Sequence, residues 1–162
     1  MDQTLAKIDS FIFKPNHLGI TNHIVESESQ EYGACRYEIN GKKIISRNAK
    51  ITPKKVGQFV TVWKRSSEGI TQPFEESDNF DLLVINVKNE DQLGQFVFPK
   101  SILIEKGIIT SNKKEGKRGF RVYPPWDEPT NSQATRSQKW QIGYFITSED
   151  SYEAVMNCYQ QI

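Results

Sequence analysis

Cysteine and histidine are scarce in this chain, with two of each among 162 residues. Cys35 and Cys158 lie far apart with no CxxC spacing, so a disulfide framework is not expected, and a reducing, cytoplasmic compartment is. With only His17 and His23 as imidazoles, the usual ligands of a structural zinc site are too few, and both read as surface or capping residues. No apolar run approaches the roughly 20 residues of a membrane helix. The opening MDQTLAKIDSFIF has no basic stretch ahead of a long apolar one and does not read as a secretory signal. The common nucleotide, hydrolase and protease templates are missing too: there is no Walker loop, GxGxxG, GxSxG or Cys-His pair placed for catalysis. No complete catalytic signature, metal site or cofactor site is therefore expected.

What the chain does have is an ordinary globular composition, 36% hydrophobic, 25% charged and 11% aromatic. That is enough for a proper core and short for two, so residues 1–162 are read as one domain. The net charge is only +1, yet Gly41–Arg65 carries eight basic residues and no acidic one. Charge of one sign gathered on one stretch builds a local potential that usually faces something anionic. A second basic cluster, SNKKEGKRGFR over 111–121, is punctuated by Gly116 and Gly119.

Periodicity supplies the elements. Leu5, Ile8, Phe11 and Ile12 at helical spacing after Thr4 predict a first helix of about three turns, stopped by Pro15. Thr21 or Asn22 is expected to cap a second helix, HIVESESQEY. Cys35, Tyr37 and Ile39 alternate with polar residues up to Asn40-Gly41, and KKIIS follows, which predicts a two-residue hairpin pairing Glu38 with Lys43. GQFVTVWKR, apolar on both sides of its middle, reads as an interior strand. A loop over 66–80 follows, then the strand DLLVINV paired with GQFVF. Pro99 is expected to open a helix that closes at Gly107. VYPPWDEP is irregular because its three prolines lack backbone donors. Thr130 or Asn131 should cap the next helix, WQIGYFI should return as a strand, and Thr147 or Ser148 should cap a last helix with Tyr152, Val155, Met156 and Tyr159 as its core stripe.

Three segments in order, RNAKITPKKVGQFVTVWKR, GQFVFPKSIL and GKRGFRVYPPWDEPTNSQATRSQKWQ, resemble the MepB family of small bacterial proteins, and the likeness runs from about Glu28 to Phe145. The resemblance implies an α/β (α+β) fold of the restriction-endonuclease-like kind, a central mixed sheet flanked by helices. The order of elements read above is compatible with it.

Nucleic-acid binding is the expected function. Arg47, Lys50, Lys54, Lys55, Lys64 and Arg65, with Lys117, Arg118 and Arg121, would neutralise phosphates. Tyr123, Trp126 and Trp140 could stack on bases, and Gln138 and Gln141 could reach base edges. One alternative is a magnesium-dependent nuclease. Nucleases of that fold place an acid on one strand and acid-x-Lys on the next, but Val62 and Phe98 stand two residues before Lys64 and Lys100, so only a non-standard set of Glu28, Glu38, Asp81 and Lys64 is open. The other alternative is a pocket for a small anionic ligand.

Overall fold

The computed structural model describes residues 1–160. The first helix, α1 (Gln3–Ile8), is capped two residues before the expected cap, because Asp2 accepts a hydrogen bond from the Leu5 amide at 2.8 Å and Thr4 is buried inside. It continues through one wide π turn, Asp9–Phe13, and a short 3-10 turn ending at His17, φ +58°. A π turn advances each residue by less than an α turn does, so the apolar stripe shifts phase. Phe13 is buried in consequence, and Phe11, expected on the stripe, is 57% exposed.

The expected second helix is a strand, β1 (Thr21–Val25), followed by a single 3-10 turn at Gln30–Tyr32. Thr21, Ile24 and Val25 are β-branched and pair with an open sheet edge, while positive φ at Asn22, Ser29 and Gly33 prevents helical continuation. β2 (Cys35–Ile39) and β3 (Lys42–Asn48) form the expected hairpin, with Asn40 and Gly41 at φ +50° and +77° and Glu38 opposite Lys43. A type I′ turn needs positive φ at both central positions, which is why Asn-Gly announces it.

The run expected as one interior strand is broken at Val62. β4 (Lys50–Ile51) and β5 (Gln58–Thr61) belong to a small separate sheet, and β6 (Trp63–Arg65) pairs with β7 (Thr71–Pro73), which lies inside the expected 66–80 loop. Val60 and Val62 are apolar because they pack onto the main sheet, not because they lie within it.

β8 (Leu82–Lys88) and β9 (Leu93–Pro99) are the buried hairpin the sequence predicts. Pro99 caps α2 (Lys100–Glu105) instead of opening it, and Gly107 closes the turn at φ +68°. β10 (Gly119–Val122) completes the small sheet, β10-β5-β4. Asn131 caps α3 (Ser132–Gln141) by accepting from the Ala134 amide at 2.8 Å. Most of the expected WQIGYFI strand is instead the end of that helix and a 3-10 turn, leaving β11 (Phe145–Ile146). The last helix, α4 (Tyr152–Gln160), is capped by the Ser151 hydroxyl, not by Thr147 or Ser148; Tyr152 is exposed, and Cys158 joins Val155 and Tyr159 in the core.

The fold is a mixed α/β domain around a six-stranded sheet, β1-β2-β3-β8-β9-β11, in which β3 and β8 run parallel and the other pairs antiparallel. Successive strand residues face opposite sides, so a strand covered on both faces is apolar throughout. On β8, Leu82 and Val84 meet α1 and α4, while Leu83, Ile85 and Val87 meet the layer that holds the small sheet, α2 and α3. Each such fully buried side chain contributes about 1.5–3 kcal/mol of hydrophobic stabilisation.

Candidate functional site

The layer of small sheet, α2 and α3 contains a hollow of about 650 Å³. One side is the 52–57 loop between β4 and β5, which wraps the Arg121 guanidinium. Arg121 Nη2 donates to Thr52 Oγ1 at 2.7 Å and to the carbonyls of Gly57 and Lys55 at 3.1 and 3.3 Å, and Nε donates to the Val56 carbonyl at 3.2 Å. Gly57 sits at φ +84°, and a Cβ there would come within 2.6 Å of the Tyr123 ring, so the loop can close this tightly only on glycine. Held this way, the loop carries Lys54 and Lys55, both exposed, at the rim.

The opposite wall is α3, which contributes Gln133, Ser137 and Trp140, and Phe120 from β10 lies between. Lys106 enters from the end of α2 and Lys117 from the approach to β10. Four lysines and Arg121 thus line the hollow, and no carboxylate does. Lys54, Lys55 and Lys117 make no ion pair among the described residues. Lys106 Nζ lies 5.6 Å from the Trp140 ring centre, and Trp140 packs at 5.3 Å from Phe98. Lys106 and Gln133 carry no signal in the sequence; only the folded chain brings them here.

The other cations expected on this surface go elsewhere. Arg47 is fully buried on the face of β3 that meets Phe74, and its Nη1 donates to Glu26 at 2.8 Å and to the Ser46 carbonyl at 3.0 Å. Lys64 is held by Asp78 at 2.6 Å and Glu75 at 3.1 Å. Burial works against its ammonium, but the hydrogen bonds to Asp78 and Glu75 outweigh it and leave its pKa above the ordinary lysine value. Arg65 pairs with Glu28 at 3.1 Å, Lys50 lies over the Tyr32 ring at 4.6 Å, and Arg118 donates to the Thr71 carbonyl.

The aromatic and amide candidates divide in the same way. Tyr123 and Trp140 line the hollow, but Trp126 packs edge-on to Phe145 in a separate depression that contains Asp91 and Glu149. Gln138 donates to the carbonyls of Pro124 and Asp127, which fixes the proline turn onto α3. Gln141 is buried, donates to the Arg121 carbonyl and accepts from the Tyr123 amide, standing in for a missing neighbour strand of β10. Both glutamines, expected at base edges, spend their side-chain amides on the backbone instead.

Each of the four nuclease candidates is engaged by a different partner. Glu28 is with Arg65, Glu38 accepts from the Asn22 side chain at 2.9 Å, Asp81 accepts from the Lys43 amide at 2.8 Å, and Lys64 is with Asp78 and Glu75. Among the described residues no three of His, Cys, Asp and Glu are grouped to hold a metal ion.

A family model described as MepB-like matches residues 26–147. The chain belongs to the MepB-like family. The crystal structure of MepB superposes with a TM-score of 0.80 at 34% identity, over 93% of this chain and 100% of that one. A bacterial homing endonuclease, I-Ssp6803I, is a more distant likeness, with a TM-score of 0.45 and 13% identity over 87% of this chain and 93% of that one. No curated protein matches the sequence. The MepB-like match includes every residue of the hollow named above, from Lys54 on the loop to Trp140 on α3. No helix among the described residues is long and apolar enough to cross a membrane.

Proposed function

We propose that this MepB-like chain is a nucleic-acid-binding protein whose contact surface is the hollow between the 52–57 loop and α3. The observation that carries the reading is the arrival of Lys54, Lys55, Lys106 and Lys117 from three separate parts of the chain at one concave place with no carboxylate in its lining. Lys106 has the Glu105 carboxylate at 3.8 Å, while Lys54, Lys55 and Lys117 have none among the described residues; like charges around one hollow repel one another, and an anion that neutralises them relieves the repulsion. A polyphosphate backbone does so while releasing its own counterions, which makes the affinity steeply salt-dependent. The surface is smaller than the whole basic run, because Arg47, Lys64 and Arg65 already have carboxylate partners.

A mobility-shift titration at two salt concentrations tests this. The complex should weaken as salt rises, and Lys54→Ala/Lys55→Ala/Lys117→Ala should flatten the slope of log affinity against log salt by roughly two to three, the phosphates those lysines neutralise. No complex at low salt, or a slope unchanged in the triple variant, would sink the reading. A small anionic ligand is the second reading, favoured by the size of the hollow, which falls within the range of small-molecule sites. An increase in melting temperature with a mononucleotide or inorganic phosphate, without any oligonucleotide complex, would select it.

A further inference from the structure

Resting on that reading, we infer that the hollow takes an unpaired strand and discriminates against duplex. Duplex DNA is read by an element that protrudes, a helix or two-stranded ribbon that fits a major groove about 12 Å wide. Here the unpaired lysines surround a depression. Lys54 and Lys55 ride on a loop drawn back onto Arg121 by hydrogen bonds to the Val56 and Gly57 carbonyls. A duplex keeps its phosphates outside and its bases stacked inside, so it can meet the rim lysines but cannot fill the depression between them.

An unpaired strand can do both. Its backbone follows the rim cations while a base turns inward, and the interior suits a base. Trp140 is half-buried there with the Lys106 ammonium against its ring, which puts a positive charge and an aromatic face side by side. That combination of cationic track and stacking surface is the one that binds single strands with little sequence preference. On the α3 wall, exposed Gln133 and half-buried Ser137 line the hollow. An amide and a hydroxyl can exchange water for the Watson–Crick edge of a base, an edge that is available only when the base is unpaired.

The test is fluorescence anisotropy with a labelled ten-nucleotide single strand of mixed sequence, the same strand annealed to its complement, and adenosine monophosphate as competitor, all at one salt concentration. The single strand should bind at least tenfold more tightly than the duplex. Gln133→Ala/Ser137→Ala should narrow that ratio, whereas Lys54→Ala/Lys55→Ala should weaken both forms and leave it nearly unchanged. Lys54, Lys55 and Gln133 are exposed and Ser137 is half-buried, and circular dichroism confirms that the variants fold. Duplex binding as tight as the single strand overturns the inference while nucleic-acid binding stands. Competition by the mononucleotide at the concentration of the oligomer overturns it in favour of a small-ligand pocket. Failure of both strand forms to bind removes the function proposed above and this inference with it.

Discussion

The Arg121 guanidinium reaches the Gly57 carbonyl at 3.1 Å across the groove wall, and with the Thr52 hydroxyl and two more carbonyls it fixes the loop that carries Lys54 and Lys55. Arg121 was expected to meet phosphate directly; its Nε and Nη2 donors go instead to the Thr52 hydroxyl and three loop carbonyls, the arrangement of a side chain that positions the loop. Lysine cannot present the same planar fork, so Arg121→Lys should free the loop without removing a charge. Binding should weaken about tenfold, the equivalent of about 1.4 kcal/mol. Limited trypsin digestion is the decisive readout, since cleavage after Lys54 and Lys55 should accelerate. Unchanged cleavage together with weakened binding would instead make Arg121 a direct contact.

On the opposite face of the sheet a chain of side chains crosses three strands. The Tyr159 hydroxyl donates to Gln95 at 2.6 Å, Gln95 to Asn86 at 2.9 Å, Asn86 to Asn48 at 2.9 Å, and Asn48 to Asp2 at 2.8 Å. It ties α4 to the cap of α1 through residues of β9, β8 and β3, and Tyr159 and Gln95 have no solvent exposure. Tyr159→Phe leaves the Gln95 oxygen buried without that donor, so urea unfolding should show a loss of about 1–3 kcal/mol. A change within a few tenths of a kcal/mol would mean that water or a rotated amide replaces the hydroxyl.

The elements legible in the sequence are those whose cause is local. Asn40-Gly41 specifies its own turn, Asn131 its own helix start, and the apolar run of β8 its own burial. β1 was not legible because its conformation comes from an edge of β2 ten or more residues away, which outweighs the capping signal of Thr21 and Asn22. Lys54, Lys55 and Lys117 do reach one hollow without an ion pair among the described residues, but the charge argument failed for Arg47 and Lys64, which carboxylates hold. A count of cations cannot show that Glu26, Glu75 and Asp78 fold back onto two of them. Lys106 joined the hollow unannounced because one lysine at the end of a helix reads first as a favourable dipole contact.

Arg47 is the extreme of that failure and gives the next prediction. Its Nε and Nη2 are buried with no hydrogen-bond partner, and Glu26 is its single carboxylate partner among the described residues. Glu26→Ala would leave the buried guanidinium uncompensated, a loss of about 3–5 kcal/mol. Arg47→Met removes the charge as well as the pair and should be the milder change, because an apolar side chain in the same space restores what desolvation takes away. Denaturant titration of both variants checks the order. Binding adds a second check, since Arg47→Met should leave the salt dependence of nucleic-acid affinity unchanged, whereas a flattened slope would place Arg47 in contact with phosphate.

The buried thiols set the behaviour at alkaline pH. Burial pushes Cys35 and Cys158 up to about 11, with 4% and 7% of their surface exposed. At pH 8 roughly one thiol in a thousand is then ionised, so iodoacetamide should leave the native protein unlabelled and modify both cysteines once it is denatured. The same displacement fixes the sign of the stability change. In the unfolded chain a thiol ionises at about 8.5, before the folded one does, so between that pH and about 11 the unfolded state binds fewer protons. Stability must therefore fall as pH rises through this window, and burial of Tyr37 and Tyr159 adds in the same direction at still higher pH. Lys64 is stabilised by its carboxylates below its unfolded pKa and loses that contribution as pH rises through its raised folded value. Denaturant midpoints measured from pH 7 to 10.5 should decline steadily above 8.5. Cys35→Ala/Cys158→Ala should flatten the first part of that decline, and a double variant with the wild-type slope would show that the thiols do not cause it.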